Sequence, residues 1–265
     1  RMLSSLLLLY LALNGFAYFF SERLIFLPPT PTYQDTADIL KLTTQDGEQI
    51  SAFYLPNPDA TYTILYSHGN AEDLGRIRQR LANLRTLGFS VFAYDYRGYG
   101  TSQGKPSEQN ALQDIEAAYA YLTNHLKILP ETIVLYGRSL GGGPSVHLAS
   151  RHPVAGVILE STFTSTFRVV TQIPILPWDR FNNLAKIDSV HGAVLFIHGT
   201  DDRVVPFHHS QVLYQRAKQP KHFVSIQGAG HNNLLEIAWE QYDKALNTFT
   251  HMLEQRKTET FNDSR

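Results

Sequence analysis

From Tyr62 to Ile226, short β-rich runs alternate with helical patterns, and this alternation constrains the fold more than any other feature of the chain. Tyr62–Tyr66, Ser90–Tyr94, Thr132–Tyr136, Val154–Leu159, Ala193–Ile197 and His222–Ile226 read as strands. Between them lie helical patterns over Ala71–Leu87, Ser107–Leu126, Leu140–Ser150 and His208–Lys218, and a final one runs from Asn232 to about Leu253. Strands this apolar, joined by helical crossovers, predict a largely parallel sheet covered on both faces, an α/β fold. Ile39–Thr44 and Gln49–Leu55 flank Asp46-Gly47 and predict an opening hairpin. With 265 residues, one such domain with modest insertions accounts for the chain.

A second feature lies outside that pattern. Met2 to Ser21 carries no charge, and as a helix rising ~1.5 Å per residue it is long enough to cross a ~30 Å hydrocarbon layer. Tyr10, Tyr18 and the nearby phenylalanines suit headgroup level, and Glu22 and Arg23 mark the return to water. The expectation is a single-pass N-terminal membrane anchor over 1–27. A secretory signal cleaved near Gly15-Phe16-Ala17, followed by secretion, and a buried helix of the domain are the alternatives. Leu27-Pro-Pro-Thr-Pro31 cannot continue a helix and reads as the boundary to a domain over 28–255, with a polar, frayed tail over 256–265. Deleting everything before Pro28 is expected to leave a soluble, active domain.

Composition excludes several functions. The 23 Lys+Arg against 24 Asp+Glu give no basic excess for tracking nucleic-acid phosphates. The absence of cysteine excludes disulfides, thiolate nucleophiles, thiolate metal sites and S-acylation of the chain itself.

Gly137-Arg-Ser-Leu-Gly141 fits G-x-S-x-G, and it stands where a β-run gives way to a helix of small residues, the setting of a nucleophile elbow. Neither Gly141-Gly-Gly143 nor Gly104-Lys105 has the remaining residues of a phosphate loop. A serine hydroxyl needs a base, and the base needs an orienting group. Asp202 falls in the loop after the strand ending at Ile197, with Asp201 beside it and Glu160 at the preceding strand end as rivals. His231 lies in the loop before the last helix; His125, His147 and His251 fall on helices, His222 opens a strand, and His208-His209 lack H-E-x-x-H spacing. Ser139, Asp202 and His231 thus follow the chain order Ser…Asp…His. An oxyanion needs backbone donors: Leu140 supplies one and Asn70, with Ala71 as runner-up, the other.

These residues resemble the α/β-hydrolase superfamily from about Leu40 to Leu253. Ser67-His-Gly-Asn-Ala-Glu-Asp-Leu-Gly75, Asp95-Tyr-Arg-Gly-Tyr-Gly100, Gly104-Lys-Pro-Ser-Glu108, Tyr136–Gly141 and Gly228-Ala-Gly-His-Asn232 look like its small-cap, membrane-associated branch. That branch includes single-pass bacterial and fungal members and the eukaryotic protein depalmitoylases; the latter attach through acylated N-terminal cysteines, which this chain lacks. The resemblance implies a serine hydrolase acting on an acyl ester or thioester, of carboxylesterase, lysophospholipase or acyl-thioesterase type. It would need no metal or organic cofactor and would take a small-molecule acyl or lipid-like substrate under a short cap over about 161–192. A peptidase or aminopeptidase-like hydrolase and, from another class, a non-catalytic membrane adaptor on a hydrolase scaffold are the alternatives.

Overall fold

The structure is a computed structural model that describes residues 2–171 and 173–263. Ile39–Thr43 (β1) and Gln49–Leu55 (β2) form the antiparallel hairpin, its turn closed at Gly47 with φ +90°. Thr63–Ser67 (β3), Ser90–Tyr94 (β4), Ile133–Arg138 (β5), Gly156–Glu160 (β6), Ala193–Gly199 (β7) and Lys221–Ile226 (β8) follow. The eight strands form one sheet in the order β1-β2-β4-β3-β5-β6-β7-β8, parallel from β4 through β8 and antiparallel where β2 meets β1 and β4. Every residue of β3 to β7 is buried, as unbroken apolar runs predict for strands covered on both faces. Leu65, Phe92, Leu135 and Val157 point into one core layer, while Ile64, Val91, Val134 and Ile158 point into the other.

Leu74–Thr86 (α2), Glu108–Ala120 (α3), Gly142–Ala149 (α4), His208–Arg216 (α5) and Leu234–Asp263 (α6) cover the sheet; Met2–Ile25, preceding them all, is α1. The starts of α2 and α3 are set by side-chain caps: Asp73 and Ser107 accept from the backbone N–H groups of Arg76 and Asn110, each at 3.0 Å. That places α2 three residues later than its apolar pattern, which begins at Ala71, a residue held at φ +56°. The segment between β6 and β7 holds two short helical turns among the described residues, Phe167–Val169 and Ile187–Ser189.

Two expectations at the chain ends are corrected. Helix α6 continues, with a break at Ala238, through Asp263, so the polar segment from Arg256 is helical as far as it is described; Ser264 and Arg265, like Arg1, lie outside the described residues. At the other end, the stretch before Pro28 contributes no strand, yet its last turn packs into the domain. Phe26 is 3% exposed and meets Phe181 with ring centroids 6.0 Å apart. Glu22 accepts from the Glu108 N–H at 3.2 Å, and Thr32, beyond the prolines, donates from its backbone N–H to Asp73 at 2.7 Å. The boundary expected at Leu27-Pro31 is therefore flanked on both sides by residues bonded to the domain, while Leu27, Pro28, Thr30 and Pro31 are themselves exposed.

Candidate active site

Strand β5 ends in Arg138, and Ser139 follows at φ +50°, a left-handed conformation that costs a non-glycine residue roughly 1–3 kcal/mol and persists only where the surroundings enforce it. The flanking glycines permit the turn. A Cβ on Gly137 would sit 2.6 Å from the Gly141 carbonyl oxygen, and one on Gly141 would collide with the carbonyl oxygen of Ser67 on β3. The sharp turn aims Ser139 Oγ at the loops beyond the carboxyl ends of the strands, where sites form in open α/β sheets.

His231 reaches the serine from the loop before α6. Its Nε2 lies 3.0 Å from Ser139 Oγ, and its Nδ1 lies 2.7 Å from Asp202 Oδ2. Because a carboxylate only accepts, Nδ1 carries the hydrogen and Nε2 is left to accept from the serine hydroxyl. Asp202 is fixed in turn: the backbone N–H groups of Val204 and Val205 donate to its Oδ1 at 2.9 and 2.8 Å. Burial alone would raise its carboxyl pKa, but hydrogen bonds from His198 and His231 and the adjoining Val205 N–H outweigh burial and hold it well below the ordinary value.

The rival acids lie elsewhere. Asp201 is exposed and accepts from Thr200 Oγ1 at 3.1 Å. Glu160 is buried in an ion cluster, receiving both bonds from Arg80 Nη1 at 3.0 and 2.9 Å, one from Arg138 Nε at 3.2 Å, and the hydroxyl of Tyr136. Burial pushes Glu160 up, yet the charges of Arg80 and Arg138 with the Tyr136 hydroxyl keep it below its ordinary range.

Asn70 and Leu140 both border the cavity above Ser139. Leu140 stands in the first turn leading into α4, where backbone N–H groups have no intrahelical acceptor. The Ala71 N–H is occupied by the Asn70 side-chain oxygen at 3.0 Å, which separates Asn70 from its runner-up. That same oxygen accepts from Tyr99 Oη at 2.6 Å and from the Leu27 N–H at 2.9 Å, while Asn70 Nδ2 donates to the Ile25 carbonyl at 2.5 Å. The end of α1 is thus bonded to the loop that carries Asn70.

Several residues that frame the site escape sequence reasoning. Arg138, the variable residue of G-R-S-L-G, donates to Glu72 at 2.7 Å, to the His231 carbonyl at 3.1 Å and to Asn232 at 2.6 Å, besides Glu160. Glu72 accepts from the Gly69 N–H at 2.8 Å, so one guanidinium ties the Asn70 loop to the His231 loop. His198 Nε2 lies 2.9 Å from the Val205 carbonyl and 3.2 Å from Asp202 Oδ2, and with two acceptors before it that nitrogen carries hydrogen. A charged residue inside the serine motif was the available hint for Arg138. Its partners, 22 to 94 residues away, gave none.

The cavity encloses about 590 Å³ and is almost wholly apolar above Ser139, bordered by Phe163, Phe167, Val169 and Leu176 of the short cap. Its opposite side is α1, a contribution that reading the helix purely as an anchor did not anticipate.

Comparison with known proteins agrees with this architecture. The family described as serine aminopeptidase, S33, matches residues 58–181. Human alpha/beta hydrolase domain-containing protein 17B is 37% identical, the alignment covering 81% of this chain and 85% of that protein. The mouse protein 17C is 40% identical over 78% of this chain and 65% of its own length. Among solved structures, an esterase from Pyrococcus furiosus superposes with a TM-score of 0.71 at 18% identity, covering 86% of this chain and all (100%) of the esterase, a likeness of fold.

Proposed function

We propose that this chain, which belongs to the α/β-hydrolase superfamily, hydrolyses acyl ester or thioester bonds, with Ser139 as nucleophile, His231 as general base and Asp202 as the carboxylate that orients it. The observation that carries this reading is the pair of contacts at 3.0 and 2.7 Å joining Ser139, His231 and Asp202 beneath an apolar cavity. His231 Nε2 takes the hydroxyl proton as Ser139 Oγ bonds to the acyl carbon, and Asp202 stabilises the imidazolium that results. The carbonyl oxygen becomes an oxyanion facing the backbone N–H groups of Leu140 and Asn70. The imidazolium then protonates the departing alcohol or thiol as its bond to the acyl carbon breaks. Water, giving a proton to His231, next attacks the acyl-enzyme and releases the acid, and the proton returns to Ser139.

The S33 match favours a second reading, an aminopeptidase. Such an enzyme needs a carboxylate for the substrate's free α-ammonium group, and among the described residues the cavity lining carries Arg168 as its charged side chain and no carboxylate. Ester or thioester hydrolysis therefore suits the cavity better.

For α1 the proposal is a retained single-pass anchor. It has 24 residues, ~36 Å at ~1.5 Å each, and it is long and apolar enough to cross a membrane. Cleavage near Gly15-Phe16-Ala17 would strip Leu13, Phe16 and Ala17 from the cavity wall, which favours retention over removal as a signal.

A fluorophosphonate probe tests the nucleophile: wild type is labelled and Ser139→Ala is not, and equal labelling would refute the assignment. Turnover of p-nitrophenyl esters beside acyl-thioesters and aminoacyl amides sorts the bond type; turnover of none by a folded, unlabelled protein would favour the adaptor.

A further inference from the structure

The cavity above Ser139 has a polar floor and two apolar walls of different origin. One wall is the cap segment after β6. The other is a single face of α1, formed by Leu13, Phe16, Ala17, Ser21, Leu24 and Ile25, whose spacing of three to four residues keeps them in register along the helix. From Leu13 to Ile25 that face runs ~18 Å along the helix axis at ~1.5 Å per residue. Its inner end is tied to the floor, since the Ile25 carbonyl accepts from Asn70. Its outer half belongs to the stretch long and apolar enough to lie in a bilayer.

The rim between the walls is apolar as well. Val170 is 87% exposed and Ile175 45%, both lining the slot from the cap segment, and Leu13 and Phe16 are exposed on the α1 side. Contiguous exposed apolar surface of this kind marks a lipid or ligand contact. Beside it, Tyr18 packs edge-on against Trp178 at 5.9 Å, and the Arg180 guanidinium lies 5.2 Å from the Trp178 ring centroid, a grouping suited to the headgroup level.

We infer that α1 is a wall of the acyl-binding groove as well as an anchor, and that the substrate is a long-chain acyl group drawn sideways from a bilayer leaflet through the slot between α1 and the cap segment. This rests on the hydrolase reading above and adds to it the substrate class and the route. The floor, where Ser139 sits, receives the carbonyl; the apolar slot receives the chain; and the leaving group projects toward the aqueous loops. Carboxylic ester lipids and S-acylated peptides share this chain chemistry, and both can be supplied in a membrane.

The test uses the full chain in phosphatidylcholine vesicles, with p-nitrophenyl palmitate and butyrate as probes. Wild type is expected to favour palmitate. Ala17→Trp, which fills the slot, lowers the palmitate-to-butyrate ratio of kcat/KM at least about tenfold, whereas Phe16→Ala, which widens it, raises palmitate turnover relative to butyrate. Fluorophosphonate labelling of each variant reports an intact Ser139 site, and the two opposite changes keep the test open if one variant does not fold. An unchanged ratio in a labelled variant overturns the inference while leaving the hydrolase reading standing; failure of wild type to label overturns that reading instead. Val170→Asp is expected to slow palmitate turnover in vesicles more than in detergent micelles, and equal slowing in both would refute entry from the bilayer. Monopalmitoylglycerol and a palmitoyl-thioester peptide, run side by side, then identify which source of the acyl chain is used.

Discussion

Around Ser139 one guanidinium joins three loops, whereas the helix forming the outer wall of the cavity meets the domain chiefly through its last turn. Arg138 reaches Glu72, Glu160, Asn232 and the His231 carbonyl, partners that arrive from three separate parts of the chain. Each buried charge there is answered by another, which is the condition under which buried ions are tolerated. The rim of α1 and the cap is held instead by aromatic and aliphatic contacts such as Tyr18 with Trp178 and Phe167 with Trp178. The contrast separates two requirements. Acyl transfer needs donors and acceptors fixed within fractions of an ångström, which directional, charged bonds provide. Accommodating chains needs a surface that is apolar and forgiving, which dispersion contacts provide.

Four substitutions bear on that contrast, the largest effect first. Asp202→Asn leaves the loop in place but removes the acceptor that fixes the His231 tautomer, and kcat is expected to fall about 10⁴-fold. The same variant has a pH signature. The Asp202 carboxyl is depressed in the folded protein, so it contributes stability above its ordinary value of 3.8 and loses it as pH falls further. The stability gap between wild type and Asp202→Asn should therefore close as acid unfolding is followed below about pH 4, and a constant gap would refute the cause assigned to the shift.

Arg138→Met leaves Glu160 and Glu72 with a missing cation, and denaturant titration should register a loss of about 3–5 kcal/mol. Activity should fall too, because the His231 loop loses its tether; undiminished stability would mean that the network does not hold the loops. Phe26→Ala removes a ring that is buried against Phe181, and about 3 kcal/mol is expected by the same titration. No change there would make α1 a detached anchor and remove the wall it lends to the cavity. The smallest effect is that of Tyr99→Phe, which deletes the hydroxyl shared by Asn70 and the Leu27 N–H, at 2.6 and 3.1 Å. It should cost about 1 kcal/mol, seen as a several-fold drop in kcat with KM for a short ester nearly constant; a change in KM alone would place Tyr99 with the rim and not with the fixed floor.

Much of the fold was legible in the residues. The Asp46-Gly47 turn, the apolar runs that became β3 to β8 and the serine turn are local patterns, and local sterics decide them. Ser139, Asp202, His231, Asn70 and Leu140 could be nominated because each sits at a strand end or a helix start, positions that periodicity reveals. The start of α2 lies at Leu74 and not at Ala71, because Ala71 is left-handed and Asp73 caps the helix. Leu27-Pro-Pro-Thr-Pro31 reads as the boundary between helix and domain: its prolines announce a break in the helix, but they say nothing of Phe26 entering the core or of Tyr33 bonding Asp95 at 2.5 Å. Chain position favours Asp202 over Asp201 and Glu160, but the contact with His231 that distinguishes it from them is tertiary, since all three end strands or follow them.

The sequence by itself determined the elements, their order, the strained serine turn and the presence of one helix of membrane-crossing length, because these depend on side-chain period, on the room glycine leaves and on chain order. Tertiary structure alone decided which carboxylate meets His231, that Arg138 binds the site's loops together, and that α1 walls the cavity. Those outcomes rest on contacts between residues 22 to 94 positions apart, such as Arg138 with Glu160 and with Asn232, and on Asn70 with Ile25 across 45. No local propensity encodes such pairings; they exist only once the sheet has brought its loops to one edge.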